Sequence, residues 1–376
     1  MSPRRTVLFL GGGTGGHIYP GLAIAEHLAE LAAQRDAPIP RRVFLTSDRP
    51  IDARILRRAL ETGEADAQAP LPARPLTPRP RGLAACLASW GRSVRAARSL
   101  IRAERDGTDR VVALSTGGFV AAPAAQACRV ERVPIAAVQL DAAAGLASRF
   151  IARRAARRVA CGAAPQRPGC TRLPPIVRRV ALPDAPPANA REALGLEPDR
   201  PTLLVIGGSQ GARSINELLP ALVRATPETI AAGPWQILHL AGHGRDQPVR
   251  EAYARNGTDA VVLESLDAMG LAWSAATVAV GRGGAGTVAE AEASGTPLAV
   301  LPYPHHRDQH QARNARALAD RGMAIVLRDH DDPAANLEAH GARLADWLAH
   351  PPPKAPRPGH DARDGARLIA EMLLEL

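Results

Sequence analysis

Short apolar runs alternate along this chain with longer stretches in which Ala and Leu recur at helical spacing, the pattern of a parallel sheet joined by crossover helices. In the first half the pattern predicts strands at 6–10, 42–46, 110–114 and 134–139. Helices are predicted over 20–34, 83–105, 120–129 and 146–157. A proline-dense stretch, "VALPDAPPANAREALGLEPDRP" at 180–201, then shifts the composition and reads as an interdomain linker. The second half restarts on the same plan with "PTLLVIGGSQGARSINELLPALV", an apolar strand, a glycine turn and a helix. Further strands are predicted at 235–240, 260–263, 277–280, 297–301 and 324–327. "HPPPKAPRPG" at 350–359 interrupts the chain before a last helix ending in "LIAEMLLEL". The layout predicts an α/β fold of two doubly wound domains, 1–181 and 182–357.

Composition narrows the class. The chain has 376 residues, 46% of them hydrophobic, enough for two buried cores. No uninterrupted apolar run reaches about 18 residues, so no membrane-spanning helix is predicted. The start "MSPRRTVLFLGGG" reads as a first strand and not as a secretion signal. Cys86, Cys128, Cys161 and Cys170 form no CxxC pair and have no histidine at zinc spacing, which reads as free thiols in a reducing compartment with no metal site. The net charge of +10 is almost all arginine, Lys354 being the single lysine. With only 3% aromatic residues and no stacking motif among the arginines, the charge points away from nucleic acid. It points instead to a phosphorylated substrate or an anionic lipid surface.

Three glycine-rich turns carry the candidate chemistry: "GGGTGGH" after the first strand, "GGSQGARS" at 207–214, and "GRGGAGTVAEAEASG" at 281–295. Each follows a predicted strand and opens a helix. Glycine lets main-chain N–H groups approach a ligand closely, and a helix start adds unpaired donors and partial positive charge suited to phosphate. Gly11, Gly13 and Gly16 satisfy the G-x-G-x-x-G spacing of a dinucleotide fold, for which Asp48 would be the ribose acid. The third turn favours a single nucleotide diphosphate, because Glu290 sits just inside its helix, placed to accept ribose hydroxyls. A nicotinamide-dependent oxidoreductase therefore stands as the rival reading.

Taken together, "GGGTGGHIYPGLAIA", "STGGFVAAP", "GGSQGARSIN", "GRGGAGTVAEAEASGTP" and "DQHQARNA" occur in the order found in the MurG family of bacterial glycosyltransferases. The sequence resembles that family over nearly its whole length. The resemblance implies a GT-B fold, two Rossmann-like domains facing a cleft, with a final helix over 358–376 packing back on the first. It implies inverting transfer of N-acetylglucosamine from UDP-N-acetylglucosamine, without cofactor or metal, to the muramoyl sugar of undecaprenyl-diphospho-muramoyl-pentapeptide. The protein would then be peripheral to the cytoplasmic face of the membrane, with the first domain taking the acceptor and the second the nucleotide.

Carried over by position, Thr14, Gly15 and Gly16 belong to the donor site. Arg178 and Ser209 meet the nucleotide diphosphate, and the Leu266 backbone meets the uracil. Ala285, Gly286, Thr287, Val288, Ala289 and Glu290 wrap phosphates and ribose, while Gln311 and Asp141 touch the donor sugar. Phe119, Gln139 and Asn216 fall on the acceptor side. His17 is the candidate general base, imidazole being suited to proton transfer near neutral pH.

The chain departs from the family at the acceptor side. Val138, Gln139, Leu140 and Asp141 stand where the family has His-Glu-Gln-Asn, Phe119 replaces a tyrosine, and "PPIVR" replaces Gly-Asn-Pro-Val-Arg. These changes keep two alternatives open, a related GT-B transferase with another acceptor and a non-catalytic UDP-sugar binder. A lipid-linked acceptor requires a membrane surface. In the stretch at 78–105, Leu83, Leu87, Trp90 and Val94 share one helical side among arginines, a pattern for shallow insertion and equally for packing on a sheet.

Overall fold

The structure is a computed structural model and describes residues 5–77, 79–208, 210–226, 235–306, 308–356 and 364–376. It divides into two compact units, Met1–Arg178 with Asp361–Leu376, and Arg179–His360.

The first unit holds strands β1 (Arg5–Gly11), β2 (Arg41–Ser47), β3 (Ala67–Leu71), β4 (Arg110–Gly117), β5 (Ile135–Gln139), β6 (Arg157–Cys161) and β7 (Thr171–Leu173). They pair in parallel in the order β3-β2-β1-β4-β5-β6-β7. Helices α1 (Gly15–Gln34), α2 (Pro50–Glu61), α3 (Pro80–Asp106), α4 (Ala121–Val130) and α5 (Leu146–Ala152) make the crossovers. Alternate residues of a strand face opposite sides. Val7 and Phe9 of β1 thus join a core with Ile18, Leu22 and Leu28 of α1, while Leu8 and Leu10 join a second core with Ala97, Ile101 and Val120. With both faces covered, the central strands read as unbroken apolar runs. The β1–β4 register slips between Leu10 and Gly11, so the irregularity falls where both strands give way to glycine loops.

The second unit repeats the plan with β8 (Thr202–Ile206), β9 (Gln236–Leu240), β10 (Ala260–Leu263), β11 (Ala276–Gly281), β12 (Leu298–Val300) and β13 (Ala324–Val326), in the order β10-β9-β8-β11-β12-β13. Its helices are α6 (Pro187–Ala193), α7 (Arg213–Ala225), α8 (Asp246–Arg255), α9 (Met269–Ala275), α10 (Ala285–Ser294), α11 (His310–Asn314), α12 (Arg316–Asp320) and α13 (Pro333–Ala349). Leu203 and Val205 pack toward α7, α8 and α13, and Leu204 and Ile206 toward α9 and α10. The last helix, α14 (Gly365–Glu375), belongs to the first unit, where Ala366, Ile369, Ala370 and Leu373 enter the core beside α1. Asp364 caps it by accepting from the Ala366 amide, and lies 2.6 Å from His27 Nε2.

Several sequence expectations are corrected. The stretch at 180–201 is not a linker. Within it α6 packs on α9, Ala190 is fully buried, and Arg191 donates to the Ala275 carbonyl. The helix expected over 146–157 stops at Ala152, and Arg157 opens β6. Helix α1 begins at Gly15, five residues before Pro20, which it carries inside its second turn. The glycines' poor propensity and proline's preference for a first turn both argued for the later start. The expected last helix from 358 is described only from Gly365.

Candidate active site

In the first unit the glycine turn between β1 and α1 is built around an internal anion. Asp52, fully buried on α2, accepts from the Gly13 amide at 2.9 and 2.8 Å, from the Ser47 amide at 2.9 Å and from the Ser47 hydroxyl at 2.6 Å. Gly13 has φ +88°, and a Cβ there would lie 2.5 Å from the Phe119 ring, so only glycine fits. Asp48, the expected ribose acid, is instead exposed and ion-paired to Arg74 at 2.7 Å; that hydrogen bond holds its carboxyl below the usual carboxylate range. The dinucleotide reading fails here, because a carboxylate of the protein already takes the turn's central amide.

His17 stands in the first turn of α1, half-buried, its Nδ1 3.2 Å from the Thr116 carbonyl oxygen at the end of β4. A carbonyl only accepts, so Nδ1 carries the proton and Nε2 is the basic nitrogen. Thr116 closes the contact from the other side by donating its hydroxyl to the His17 carbonyl at 2.5 Å. Gly118 (φ +88°) lies against the ring: a Cβ there would be 3.0 Å from His17 Cδ2. The histidine, on α1, is thus clamped by the end of β4 and the loop that follows it. Thr14 is the N-cap in extended conformation with no side-chain cap bond, and Thr14 and Gly16 are exposed.

The remaining first-unit candidates are placed otherwise than expected. Arg178 does not stand ready for a phosphate; it puts its guanidinium on Glu26 at 2.8 Å and Glu64 at 2.7 Å. Gln139 donates to the carbonyls of Asp141 (2.8 Å) and Ala143 (3.4 Å), so its amide holds the loop after β5. A carboxylate could not make those bonds, which is a physical reason for glutamine here. Val138 is buried in the core, Leu140 packs against it, and Asp141 is half-buried in the same loop. Phe119 packs on the core under the first turn, with Arg49 5.0 Å above its ring.

In the second unit two glycine turns are tied together from below. Ser214, in the first turn of α7, donates to Asp329 at 2.6 Å, and Arg282, just after β11, donates to Ser214 at 2.9 Å and pairs with Asp329. Burial alone would raise the Asp329 carboxyl, but hydrogen bonds from Ser214, Asn336 and Arg282 hold it below the usual range, so the ion pair stays charged. Ser209 lies outside the described residues. Asn216 is buried, donating to the Ala241 carbonyl at 2.8 Å and lying 3.2 Å from His239 Nε2. It therefore braces the second turn internally rather than facing an acceptor.

Helix α10 opens on Gly284 with no side-chain cap and no acidic residue in its first turn, an arrangement at Ala285, Gly286 and Thr287 whose chemistry suits an anion. Val288 and Ala289 point their side chains into the core, at 5% and 6% exposure, which leaves their backbone as the part that can meet a ligand. Glu290 is half-buried and accepts from the Trp273 indole at 2.8 Å. Helix α11 lies against the turn: Asn314 donates to the Gly283 carbonyl at 2.9 Å, and Gln311 accepts from the Tyr303 amide at 2.8 Å. Leu266 packs on the core from the loop before α9. Sequence reasoning missed Asp52, Thr116, Arg282, Trp273 and Asp329; only Thr116 and Arg282, each inside a quoted motif, carried a local signal. Among the described residues no cluster of metal-ligating side chains occurs.

Comparisons with known proteins give the family and the fold. The glycosyltransferase family 28 N-terminal domain matches residues 7–160 and the glycosyltransferase family 28 C-terminal domain matches 202–369. A UDP-N-acetylglucosamine–N-acetylmuramyl-(pentapeptide) pyrophosphoryl-undecaprenol N-acetylglucosamine transferase of Sorangium cellulosum is 34% identical over 99% of this chain and 88% of its own. The chain belongs to glycosyltransferase family 28, on its MurG branch. The correspondingly named MurG relative of Alkalilimnicola ehrlichii is also 34% identical, over 98% of both chains. The crystal structure of Acinetobacter baumannii MurG superimposes with a TM-score of 0.65 at 21% identity, covering all of both chains, which shows the shared GT-B fold. As a family 28 member the chain is a glycosyltransferase, built from two Rossmann-like parallel-sheet domains.

Proposed function

We propose that this MurG-family glycosyltransferase transfers N-acetylglucosamine with inversion from UDP-N-acetylglucosamine to the muramoyl sugar of undecaprenyl-diphospho-muramoyl-pentapeptide, lipid I, giving lipid II. The observation that carries the donor half is the third turn. Uncapped amides at the start of α10 suit a diphosphate, and a fixed Glu290 follows one helical turn on for the ribose. Gln311 on the abutting helix is assigned to the donor sugar.

The reaction is one displacement. The acceptor hydroxyl attacks the anomeric carbon as the bond from that carbon to the UDP oxygen breaks. The hydroxyl proton passes to His17 Nε2, and UDP leaves with the bonding pair. The α10 amides, fixed before the reaction starts, stabilise the charge developing on the departing diphosphate. The clamp from Thr116 fixes the His17 tautomer that can take a proton.

A lipid acceptor also needs a bilayer. Leu76, Leu83 and Leu87 are 52%, 47% and 66% exposed beside Arg79 and Arg81, and this supports shallow docking of the α3 start on anionic lipid at the cytoplasmic face. The loop after β5, reshaped by Gln139, supports a second reading, transfer to a different acceptor.

One assay separates these readings: radiolabelled UDP-N-acetylglucosamine with lipid I and, in parallel, with simpler sugar acceptors. Product from lipid I alone is expected. Transfer only to another acceptor supports the second reading, and donor binding without any transfer sinks both.

A further inference from the structure

Behind Glu290 lies a group of buried contacts that the reaction does not itself use. Trp273, on α9, is fully buried, and an indole has one hydrogen-bond donor; that donor points to Glu290 Oε2 at 2.8 Å. Lys354 donates to the carbonyls of Trp273 (3.0 Å) and Ala276 (2.8 Å), holding the end of α9. The next residue, Ala355, donates its amide to the carbonyl of Gly295, the left-handed residue that ends α10, at 2.9 Å. The proline-rich stretch 351–356 therefore grips the ends of both helices whose side chains meet at the Trp273–Glu290 bond.

We propose that Trp273 is a positioning residue that aims the Glu290 carboxylate at the nucleotide ribose, with Lys354 bracing it from behind, so that this pair sets the preference for a ribonucleotide donor. The inference rests on the assignment of Glu290 to the ribose. A carboxylate on a flexible side chain must be oriented before it can accept from two neighbouring hydroxyls. An indole N–H on one oxygen removes that freedom. Trp273 is fully buried and acts only through Glu290, so its loss falls on donor binding.

The test compares UDP-N-acetylglucosamine with its 2′-deoxyuridine analogue as donors for the wild type, Trp273→Phe and Glu290→Ala. Phenylalanine keeps an aromatic ring in place and removes the N–H donor, at the loss of some packing volume. The wild type is expected to favour the ribonucleotide by about tenfold, as for one charge-assisted hydrogen bond. Glu290→Ala is expected to abolish that preference. Trp273→Phe should raise the donor KM by about tenfold, with a much smaller effect on kcat, and shrink the preference toward one. Trp273→Phe with wild-type KM and preference overturns the inference and leaves the ribose assignment intact. Glu290→Ala with full preference overturns the assignment and the inference together.

Should Trp273→Phe not fold, the four tryptophans of the chain supply a second readout through their indole N–H resonances. One of them is expected to shift on addition of UDP to the wild type and to stay put in Glu290→Ala. No shift in the wild type overturns the inference.

Discussion

At the scale of single residues, the site depends on groups that hold other groups. His17 is the clearest case, since its ring is set by the Thr116 carbonyl and by glycine on the adjoining loop. His17→Ala is expected to lower kcat by about 10²- to 10⁴-fold while moving the donor KM by less than about threefold; steady-state kinetics with lipid I checks this, and an unchanged kcat removes His17 from the mechanism. Asp52 acts by a different route. Replacing it with alanine leaves the buried amides of Gly13 and Ser47 without their acceptor, a loss of about 3 kcal/mol. Urea unfolding of Asp52→Ala should show that loss at neutral pH. The sequence displayed His17 and Glu290 because each sits inside a glycine motif. It hid Asp52 and Asp329, whose partners in the glycine turns, Gly13 and Ser214, lie 39 and 115 residues away, because nothing local distinguishes an internal carboxylate from a solvated one.

At the scale of elements, strands with unbroken apolar runs were legible, the edge strands β10 and β13 of the second sheet among them, while the outer strands of the first sheet were not. β3 reads Ala-Gln-Ala-Pro-Leu and β7 is three residues with two exposed, so neither carries the periodicity of a buried strand. Helix α2 escaped notice because only Asp52, Leu56 and Ala59 are buried along its twelve residues. Helix α3 shows why pattern alone left two readings. Its buried face is Ser89, Ser93, Ala97 and Ile101, while Leu83 and Leu87 are exposed and Trp90 packs edge-on against Phe150. The sheet therefore takes the small residues and leaves the first two leucines outside. Leu83→Asp with Leu87→Asp is expected to reduce retention on vesicles rich in anionic lipid at low salt by tenfold or more, about what two lost apolar anchors allow. Cosedimentation measures it, and equal retention of variant and wild type rules out this face. No described helix is long and apolar enough to cross a membrane.

At the scale of the whole molecule, two restarts of strand, glycine turn and helix made the repeated α/β plan legible in the sequence. The proline-rich stretch at 180–201 misled because proline also begins helices, as Pro187 does in α6. Each unit has its own core, and the second contains a titratable group with a stability signature. His239 is fully buried against Tyr253 and Asn216, and burial lowers its pKa from 6.5 to about 3. Below about pH 6.5 the unfolded chain takes up a proton that the folded unit refuses, so stability falls as pH falls, by about 2 kcal/mol at pH 5. Urea midpoints at pH 7 and pH 5 should show that loss, and His239→Gln should flatten it; an identical acid limb in the variant assigns the loss elsewhere.

The return of α14 to the first unit has a consequence for synthesis. Ile369 and Leu373 fill the bed beside α1, yet in chain order they follow the whole of the second unit. The domain that begins first must wait, its hydrophobic interior uncovered, until the second has been made. Its partner, by contrast, has its whole core sequence in hand sooner. Premature termination near residue 360 would therefore damage the beginning of the protein rather than its end.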